Sequence, residues 1–258
     1  MAVYIDKMAV VKEGAQLDEN VSVGPFSLIE ENVRVGKDTK IGSNVLLSGN
    51  TEIGRNNEIF HGTSIGTPPQ DLKYAGEKSY VKVGDNNTIR EYVTINSATE
   101  EGESTVVGNN CLLMAYVHVA HNCILSDNVI LANAVNLAGH IKLHEHVIIG
   151  GMVPVHQFVS IGAHAFVGGG SRISKDIPPF VKAAGIPPKV NGINSIGLQR
   201  RGFTSKQREV IKRAYYILYR NGLNVSQAID KIKNELAQTT ETKMIVDFIA
   251  SSRRGITK

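Results

Sequence analysis

Four histidines, a glycine and a glutamine recur at a spacing that could assemble a proton-transfer site. The set is His118, His121, Gly139, His140, His156 and Gln157. His121, Gly139 and Gln157 are evenly spaced along the chain. A neutral imidazole, which titrates near pH ~6.5, is suited to accept a proton from a hydroxyl group. A glycine N–H beside it is free to donate to a developing oxyanion. The pattern therefore favours general-base catalysis.

The scaffold that must position these residues repeats with a period of six. Aliphatic residues occupy every sixth position from Val107 to Ile173, and a small or β-branched residue usually stands two positions earlier. This period differs from the ~3.6 of a helix and the 2 of a strand. It is typical of hexapeptide β-helices, in which each short strand forms one side of a coil. Three hexapeptides make one coil, and this is the spacing of His121, Gly139 and Gln157, so they are predicted to stack in one column. The period alone does not determine the handedness.

The repeat begins at Ile5 and predicts a single β-helix over residues 1–190. It lapses near 67–80 and again near 97–104, where an acidic stretch is predicted to leave the solenoid as a loop. Prolines near the end of the repeat cannot continue the strand ladder. A helical period follows, so residues 191–258 are predicted to form a small C-terminal α-helical domain. The predicted fold class is an all-β solenoid with an α-helical tail.

Three helices are expected in this tail. Thr204 can cap a helix that ends near Asn221, where Gly222 stops it. Two more are predicted near 225–238 and 240–252.

The charge is distributed unevenly along the chain. Residues 191–258 hold 13 of the 28 Lys and Arg but 5 of the 24 Asp and Glu, a balance of +8, whereas residues 1–190 carry −4. A basic segment favours an anionic partner. The chain lacks aromatic residues interleaved in a basic groove, which argues against a nucleic-acid binder.

Nothing in the sequence indicates export or a membrane span. The N-terminus lacks a basic region followed by an apolar run, so no signal peptide is predicted. No apolar stretch reaches the ~18 residues of a spanning helix. Cys111 and Cys123 fall at small inward positions of the repeat and are predicted to be reduced core residues. We therefore expect a soluble, cytoplasmic protein.

Other interpretations of the histidines remain open at this point. His61, His144 and His146 are expected to be solvated polar residues at corners. A zinc site is an alternative for the main cluster, because related solenoids bind zinc through histidines of neighbouring subunits. The spacing does not determine such a geometry.

Several motifs carry a resemblance to a known family. They are Leu112–Cys123, Leu137–His140, Ile149–Met152, Val155–Phe158, Gln70–Gly76 and Gly197–Phe203. Together they resemble the UDP-N-acetylglucosamine O-acyltransferases, which catalyse the first step of lipid A and hence lipopolysaccharide biosynthesis. The resemblance extends over essentially the whole chain, including both loops and the tail.

This resemblance implies a left-handed parallel β-helix and a homotrimer with active sites in clefts between subunits. The implied reaction moves an (R)-3-hydroxyacyl group from acyl carrier protein to the 3-OH of UDP-N-acetylglucosamine by direct attack on the thioester. No metal and no separate cofactor are implied, because the acyl donor is carried on the phosphopantetheine of the carrier protein. The basic tail suits docking of that acidic protein.

The resemblance also assigns roles to residues. His121 matches the family's general base, and Gly139 matches the glycine whose N–H faces the oxyanion. Matches to contacts of the sugar nucleotide are Asp71, Lys73, His118, His140 and Gln157, with His156 nearby. Asn194, Arg200 and Arg201 match residues near the nucleotide end, where arginine would meet phosphate.

Three positions depart from the pattern or modify it. Asn122 stands where an acidic residue follows the catalytic histidine; its oxygen could hold the imidazole tautomer but would stabilise an imidazolium less well than a carboxylate. Ile196 replaces an acidic residue near the nucleotide. Gly169 matches the position that limits acyl-chain length, and its lack of a side chain predicts a long hydroxyacyl group.

Four alternatives are weighed against this function. The later N-acyltransferase of the same pathway should carry a separate N-terminal domain, whereas the repeat here starts at Ile5. Acetyl transfer from acetyl-CoA is disfavoured by the matching loops and tail. A zinc solenoid of the carbonic-anhydrase kind would be tested by metal analysis. A non-catalytic scaffold would leave the histidine column unexplained.

Overall fold

The computed structural model describes residues 2–258, which form a long solenoid of short strands followed by helices. The strands are β1 (Tyr4–Ile5), β2 (Val10–Val11), β3 (Gln16–Leu17), β4 (Ser22–Val23), β5 (Leu28–Ile29), β6 (Arg34–Val35), β7 (Lys40–Ile41), β8 (Leu46–Leu47), β9 (Asn50–Ile53), β10 (Glu58–Ile59), β11 (Ser64–Thr67), β12 (Tyr80–Val83), β13 (Thr88–Ile89), β14 (Thr94–Asn96), β15 (Ser104–Val107), β16 (Leu112–Leu113), β17 (His118–Val119), β18 (Ile124–Leu125), β19 (Ile130–Leu131), β20 (Asn136–Leu137), β21 (Lys142–Leu143), β22 (Ile148–Ile149), β23 (Pro154–Val155), β24 (Ser160–Ile161), β25 (Phe166–Val167), β26 (Val181–Gly185) and β27 (Pro188–Ile193). The helices are α1 (Ser195–Arg200), α2 (Ser205–Arg220), α3 (Val225–Glu235) and α4 (Thr240–Ser251).

Every third strand joins the same sheet. The first sheet runs from β1 through β4 and β7 to β25, β26 and β27; the second takes β2, β5 and so on to β23; the third takes β3, β6 and so on to β24. Neighbouring strands are parallel, and undisturbed coils pair residues that are three hexapeptides apart, as Tyr4 with Ser22. The predicted fold class is therefore confirmed: the chain forms a left-handed parallel β-helix with a helical tail.

The core is a single apolar column inside the three sheets. One aliphatic residue of each short strand points inward, and most of these, including Leu113, Leu131 and Leu137, have no exposed surface. Cys111 and Cys123 are free and buried in the same column, as predicted. Burial of this surface is the main favourable contribution to folding.

Most corners between sheets turn through a residue with left-handed backbone conformation. Asn122 (φ 57°) and His140 (φ 61°) are examples, as are many other non-glycine residues at equivalent positions. Such a conformation is uncommon outside glycine, with Asn and His among the residues that adopt it more often. Because the turn geometry repeats, side chains at equivalent corner positions stack coil upon coil.

Two loops interrupt the period where the sequence lapses. Strand β10 pairs with β13 through Glu58 and Thr88, so this coil is longer than a regular one by the length of two hexapeptides, added mainly between β11 and β12. Strand β12 pairs with β15 through Tyr80 and Ser104, which adds the length of one hexapeptide between β14 and β15. Both loops connect the second sheet to the third.

The tail attaches through a hairpin that the sequence did not predict. Strand β26 continues the first sheet in parallel, and β27 pairs with β26 antiparallel. Helices α2, α3 and α4 agree with the predicted helices, and Thr204 caps α2 through a reciprocal contact with Gln207. The short helix α1 was not predicted. Across residues 2–258, no helix is long and apolar enough to span a membrane.

Candidate active site

His121 lies at the corner between the second and third sheets, directly after β17. Its side chain is 13% exposed. The ring meets His140 of the next coil edge to face, with centroids 5.1 Å apart, and His140 stacks on Phe158 one coil further, with centroids 4.7 Å apart. A run of contacting rings therefore lies beside the positions of the predicted column of His121, Gly139 and Gln157.

Gly139, on the next coil, lies against the imidazole of His121. A Cβ atom at this position would overlap the ring of His121, so only glycine allows so close an approach. The Gly139 carbonyl accepts a hydrogen bond from the N–H of Phe158. Within residues 2–258, the N–H of Gly139 donates to no protein acceptor. A backbone donor thus stands beside the ring without a partner.

The hydrogen bonds of Asn122 determine the tautomer of His121. The Oδ1 atom of Asn122 accepts from the backbone N–H of Thr99 at 3.1 Å, and its Nδ2 donates to Oε2 of Glu100 at 2.7 Å. This pair of contacts allows only one orientation of the amide. Nδ1 of His121 lies 3.0 Å from Oδ1 of Asn122, so Nδ1 carries the proton. In the neutral ring, Nε2 therefore carries the lone pair, as a general base requires.

The first loop brings a carboxylate opposite this lone pair. Oδ2 of Asp71 lies 3.8 Å from Nε2 of His121, too far for a hydrogen bond. Oδ1 of Asp71 accepts from the backbone N–H of Lys73 at 2.9 Å, which orients the carboxylate. Lys73 itself is exposed. A gap lined by an imidazole and a carboxylate suits a ligand that carries hydroxyl groups.

The two remaining partly buried histidines of the cluster are held neutral. Burial lowers the pKa of His118, and the neighbouring His121 lowers it further. Its Nδ1 lies 2.7 Å from Oγ1 of Thr94. Burial likewise lowers the pKa of His140, again with a contribution from His121. Neutral imidazoles can donate or accept hydrogen bonds, which suits contacts with a sugar.

His156 and Gln157 lie on the coil above Gly139 and are exposed. Nδ1 of His156 lies 3.2 Å from the backbone oxygen of Gln157. The side-chain amide of Gln157 makes no hydrogen bond to another part of residues 2–258. Both side chains extend the polar surface of the same corner.

Arg201 lies at a different corner, between the third sheet and the first. Its Nη2 donates to the backbone oxygen of His146 at 3.2 Å, while Nη1 is buried and has no partner within residues 2–258. Arg200, at the end of α1, is exposed. Within one chain, neither arginine converges with His121.

Asn194 has a structural task in the same region. It is buried; its Oδ1 accepts from the N–H of Gly197 at 3.2 Å and so caps α1, and its Nδ2 donates to the backbone oxygen of His164 at 3.0 Å. The amide thereby anchors the helix that carries Arg200. Ile196, on that helix, is 66% exposed.

Gly169 lies at the third corner, between the first and second sheets. It is exposed, and a Cβ there would come 3.2 Å from the backbone oxygen of Gly151 on the coil below. The three groups of candidate residues therefore occupy three different corners of one chain. Of these three groups within residues 2–258, the one around His121 forms a site in a single chain.

The other histidines lie apart from this cluster. His61 is partly buried between Oγ of Ser43 and the hydroxyl of Tyr92, each 3.0 Å from one ring nitrogen. His144 packs against Phe248. These two histidines were expected to be solvated polar residues. Each instead contacts neighbouring side chains as well as solvent.

His146 forms a second pair with His164, which was not among the predicted site residues. His146 stacks on His164, with ring centroids 4.9 Å apart, and His164 also packs against Phe180 and Phe203. Across residues 2–258, no three His, Cys, Asp or Glu side chains are arranged to hold a metal ion.

Two family models match the chain. Residues 104–139 match the bacterial transferase hexapeptide family, described as six repeats, and residues 176–257 match domain 2 of UDP-N-acetylglucosamine O-acyltransferase. The first match lies over the histidine corner and the second over the hairpin and tail.

Relatives of known name match along almost the whole chain. The acyl-[acyl-carrier-protein]–UDP-N-acetylglucosamine O-acyltransferase of Chlorobaculum tepidum is 58% identical over 248 residues, which are 96% of this chain and 94% of that protein. The protein of the same name from Thermodesulfovibrio yellowstonii is 46% identical over 253 residues, 98% of each chain. This chain belongs to the UDP-N-acetylglucosamine O-acyltransferase family.

Solved structures of other members have the same fold. The UDP-N-acetylglucosamine acyltransferase of Bacteroides fragilis superposes with a TM-score of 0.96 at 45% identity, covering 98% of this chain and 99% of that one. The Francisella novicida enzyme gives 0.95 at 41% identity, covering 98% and 93%. The chain is thus an acyltransferase of this family in sequence and in three dimensions.

Several residues at the site were not identified from the sequence. Thr99 and Glu100 reach Asn122 from the second loop, Thr94 contacts His118, and Phe158 stacks on His140. The acidic composition of the second loop was the available signal for Glu100. Its contact with Asn122 depends on how the loop folds back.

Proposed function

We propose that the chain transfers an (R)-3-hydroxyacyl group from acyl carrier protein to the 3-OH of UDP-N-acetylglucosamine, as the first step of lipid A biosynthesis. The observation that carries the proposal is the contact of His121 with Gly139, with the lone pair of the neutral ring on Nε2 and a free backbone N–H beside the ring. Such an arrangement provides both the base and the oxyanion donor that attack on a thioester needs.

In the proposed reaction, Nε2 of His121 removes the proton of the sugar 3-OH as its oxygen attacks the thioester carbonyl. The Gly139 N–H donates to the oxyanion of the tetrahedral intermediate. As this collapses, the C–S bond breaks and the imidazolium returns the proton to the departing phosphopantetheine sulfur. No acyl-enzyme forms and no metal takes part, because the acyl group arrives already activated as a thioester.

The sugar and nucleotide are assigned to the polar side chains around this base. Asp71, His118 and His140 line the gap beside His121 and suit sugar hydroxyls. Further contacts are proposed for Lys73, His156 and Gln157. Arg200 and Arg201 are proposed to meet the phosphates, since a buried guanidinium nitrogen without a partner favours an anion. Asn194 contributes by anchoring α1.

We propose a homotrimer, because the residues assigned to one substrate lie on different corners of a single chain. A cleft between subunits would bring the His121 corner of one chain towards the Arg201 corner of its neighbour. The corner between the first and second sheets exposes a stacked pair, Tyr92 and Tyr116, together with Phe26 and Met152. An exposed apolar patch of this kind favours a protein contact. Because both proposed substrates are cytoplasmic, the reaction is assigned to the cytoplasm.

The acyl group is proposed to be long. Gly169 has no side chain to block a groove along its corner, and a larger residue would project from an exposed position. We expect Gly169→Met to move the preferred donor to a shorter acyl chain, measured as kcat/KM over a panel of hydroxyacyl carrier proteins. A wild-type enzyme that reacts fastest with donors of about ten carbons would contradict this assignment.

The proposed function is tested by acyl transfer from that panel to UDP-N-acetylglucosamine. We expect His121→Ala to lower kcat by ~10²–10⁴-fold while the fold and oligomeric state are retained. The control is Lys12→Ala, which removes an exposed side chain at the same kind of corner several coils from His121 and should leave turnover unchanged. Transfer by the His121→Ala protein at the wild-type rate would remove His121 from its role. No transfer by the wild type would refute the proposal.

A further inference from the structure

Asn122 follows the base where the family resemblance implies an acidic residue, yet a carboxylate still contacts this position. Nδ2 of Asn122 donates to Oε2 of Glu100 at 2.7 Å, while its Oδ1 lies 3.0 Å from Nδ1 of His121. We propose that Glu100 is a positioning residue that acts on His121 through the amide of Asn122. The inference rests on the proposed function of His121 as the base.

The loop that carries Glu100 is tied down at several points. The N–H of Ser97 donates to the oxygen of Thr67, and the N–H of Gly102 donates to the oxygen of Lys78. The carboxylate of Glu101 in turn accepts from the N–H of Lys78 at 2.7 Å. The inserted loop therefore holds a defined path beside the His121 corner.

The hydrogen bonds around Glu100 orient its carboxylate towards the amide. Oγ1 of Thr99 lies 2.7 Å from Oε2 of Glu100, and the Thr99 backbone N–H donates to Oδ1 of Asn122. These contacts with Thr99 and Asn122 lower the pKa of Glu100, so it is ionised at neutral pH. An ionised acceptor polarises the amide of Asn122 and makes its oxygen a stronger acceptor for the Nδ1–H of His121.

The chemical consequence appears when the base becomes protonated. As Nε2 takes the sugar proton, His121 becomes an imidazolium that a nearby negative charge stabilises. Asn122 alone supplies only a dipole, whereas Glu100 adds a full charge at the end of the hydrogen-bonded chain. The pair Asn122 and Glu100 thereby performs the two tasks, orientation and charge, that a single carboxylate performs in the usual histidine–carboxylate arrangement.

Other charged groups face the same centre and must be considered in any pH profile. Asp71 faces Nε2 of His121 from the first loop, and His118 and His140 flank the ring. Glu103 and Glu100 both raise the pKa of His140, and Glu77 is in electrostatic contact with Glu100. None of these other groups contacts the amide of Asn122. Variants at Glu100 and Asn122 can therefore separate the effect of Glu100 from the effects of these groups.

Glu100→Gln tests the charge with little change of shape. We expect kcat to fall about tenfold, and the acid limb of the kcat/KM profile to move to lower pH by about 0.5 pH unit, because the protonated ring loses the stabilisation of a nearby negative charge. Glu103→Gln removes an exposed charge from the same loop without touching Asn122. Its kcat should stay within about twofold of wild type.

A double-variant cycle separates this role from support of the loop. In an Asn122→Asp background a carboxylate contacts His121 directly, so Glu100→Gln should cause no loss of kcat and relieve repulsion between two adjacent carboxylates. An equal loss in both backgrounds would show that Glu100 only supports the loop, and would overturn the proposal.

The outcomes also separate this inference from the proposed function. If the wild type transfers acyl groups and His121→Ala does not, but Glu100→Gln behaves like Glu103→Gln, only the role of Glu100 is refuted. If His121→Ala remains active, the function assigned to the site fails first.

Discussion

At the scale of single residues, the contact between Gly139 and His121 leaves no room for a side chain at position 139. The imidazole occupies the space that a side chain at position 139 would fill. The same ring receives its orientation from Oδ1 of Asn122, which contacts Nδ1. The base is therefore held between a backbone and an amide, and small displacements of either should affect its chemistry.

We expect Gly139→Ala to lower kcat about 10²-fold, because the new methyl group displaces the His121 ring from the attacking hydroxyl. The unfolding midpoint and the oligomeric state should be measured in parallel, since the change lies at a corner rather than in the core. Turnover within twofold of wild type in a folded protein would show that the ring need not sit on this glycine.

His164 makes a pH-dependent contribution to stability. Burial, with smaller contributions from His146 and Arg201, lowers its pKa to about 4, and its Nδ1 has no hydrogen-bond partner within residues 2–258. The folded state therefore resists protonation of this ring, while the unfolded chain accepts a proton near pH ~6.5. Stability is complete above that pH and is lost as the pH falls from ~6.5 towards 4.

His164→Phe should flatten this dependence. Phenylalanine already adopts the same left-handed conformation at the equivalent position Phe180, and it keeps the aromatic contacts with Phe203. Urea unfolding at pH 7 and pH 5 measures the effect: we expect the loss of free energy of unfolding between these pH values to be smaller in the variant. An identical loss in both proteins would exclude His164 as its source.

At the scale of elements, two-residue strands are stable only because they are stacked. Leu137 pairs in register with Val119 below and Val155 above, and all three are buried. Each coil therefore depends on its neighbours for both hydrogen bonds and apolar contacts. The same contacts between coils hold the corner that carries His121 in place.

Leu137→Ala should lower the free energy of unfolding by ~2–5 kcal/mol, because it leaves a cavity in the apolar column. The outward-facing Ile124→Ala is the matched control, since that side chain is 41% exposed on β18 of the third sheet, and it should cost less than ~1 kcal/mol. Denaturant titration of both variants measures the difference. Equal losses would mean that the column is not the main source of stability.

At the scale of the whole molecule, the three corners and the basic tail have different proposed roles. The base, the arginines and Gly169 lie on separate corners, which the proposed trimer would bring together. The tail from residue 191 carries a balance of +8. A basic surface of this kind accelerates association with an acidic protein, and salt screens the attraction.

We expect the KM for acyl carrier protein to rise at least threefold between about 50 and 300 mM salt, because the Debye length shortens across that range. A hydroxyacyl-phosphopantetheine donor without the protein is the control, and its KM should change much less. Parallel changes for both donors would show that the tail does not steer the carrier protein.

The sequence by itself determined the period, the coil and the stacking of His121 with Gly139, because a fixed repeat converts residue number into position. It also determined the helices α2 to α4, whose caps and apolar stripes are local signals. Only the tertiary structure placed Glu100 on Asn122 and Arg201 at another corner. Loops that interrupt a repeat, and tails that fold back, are positioned by non-local contacts that no local pattern encodes.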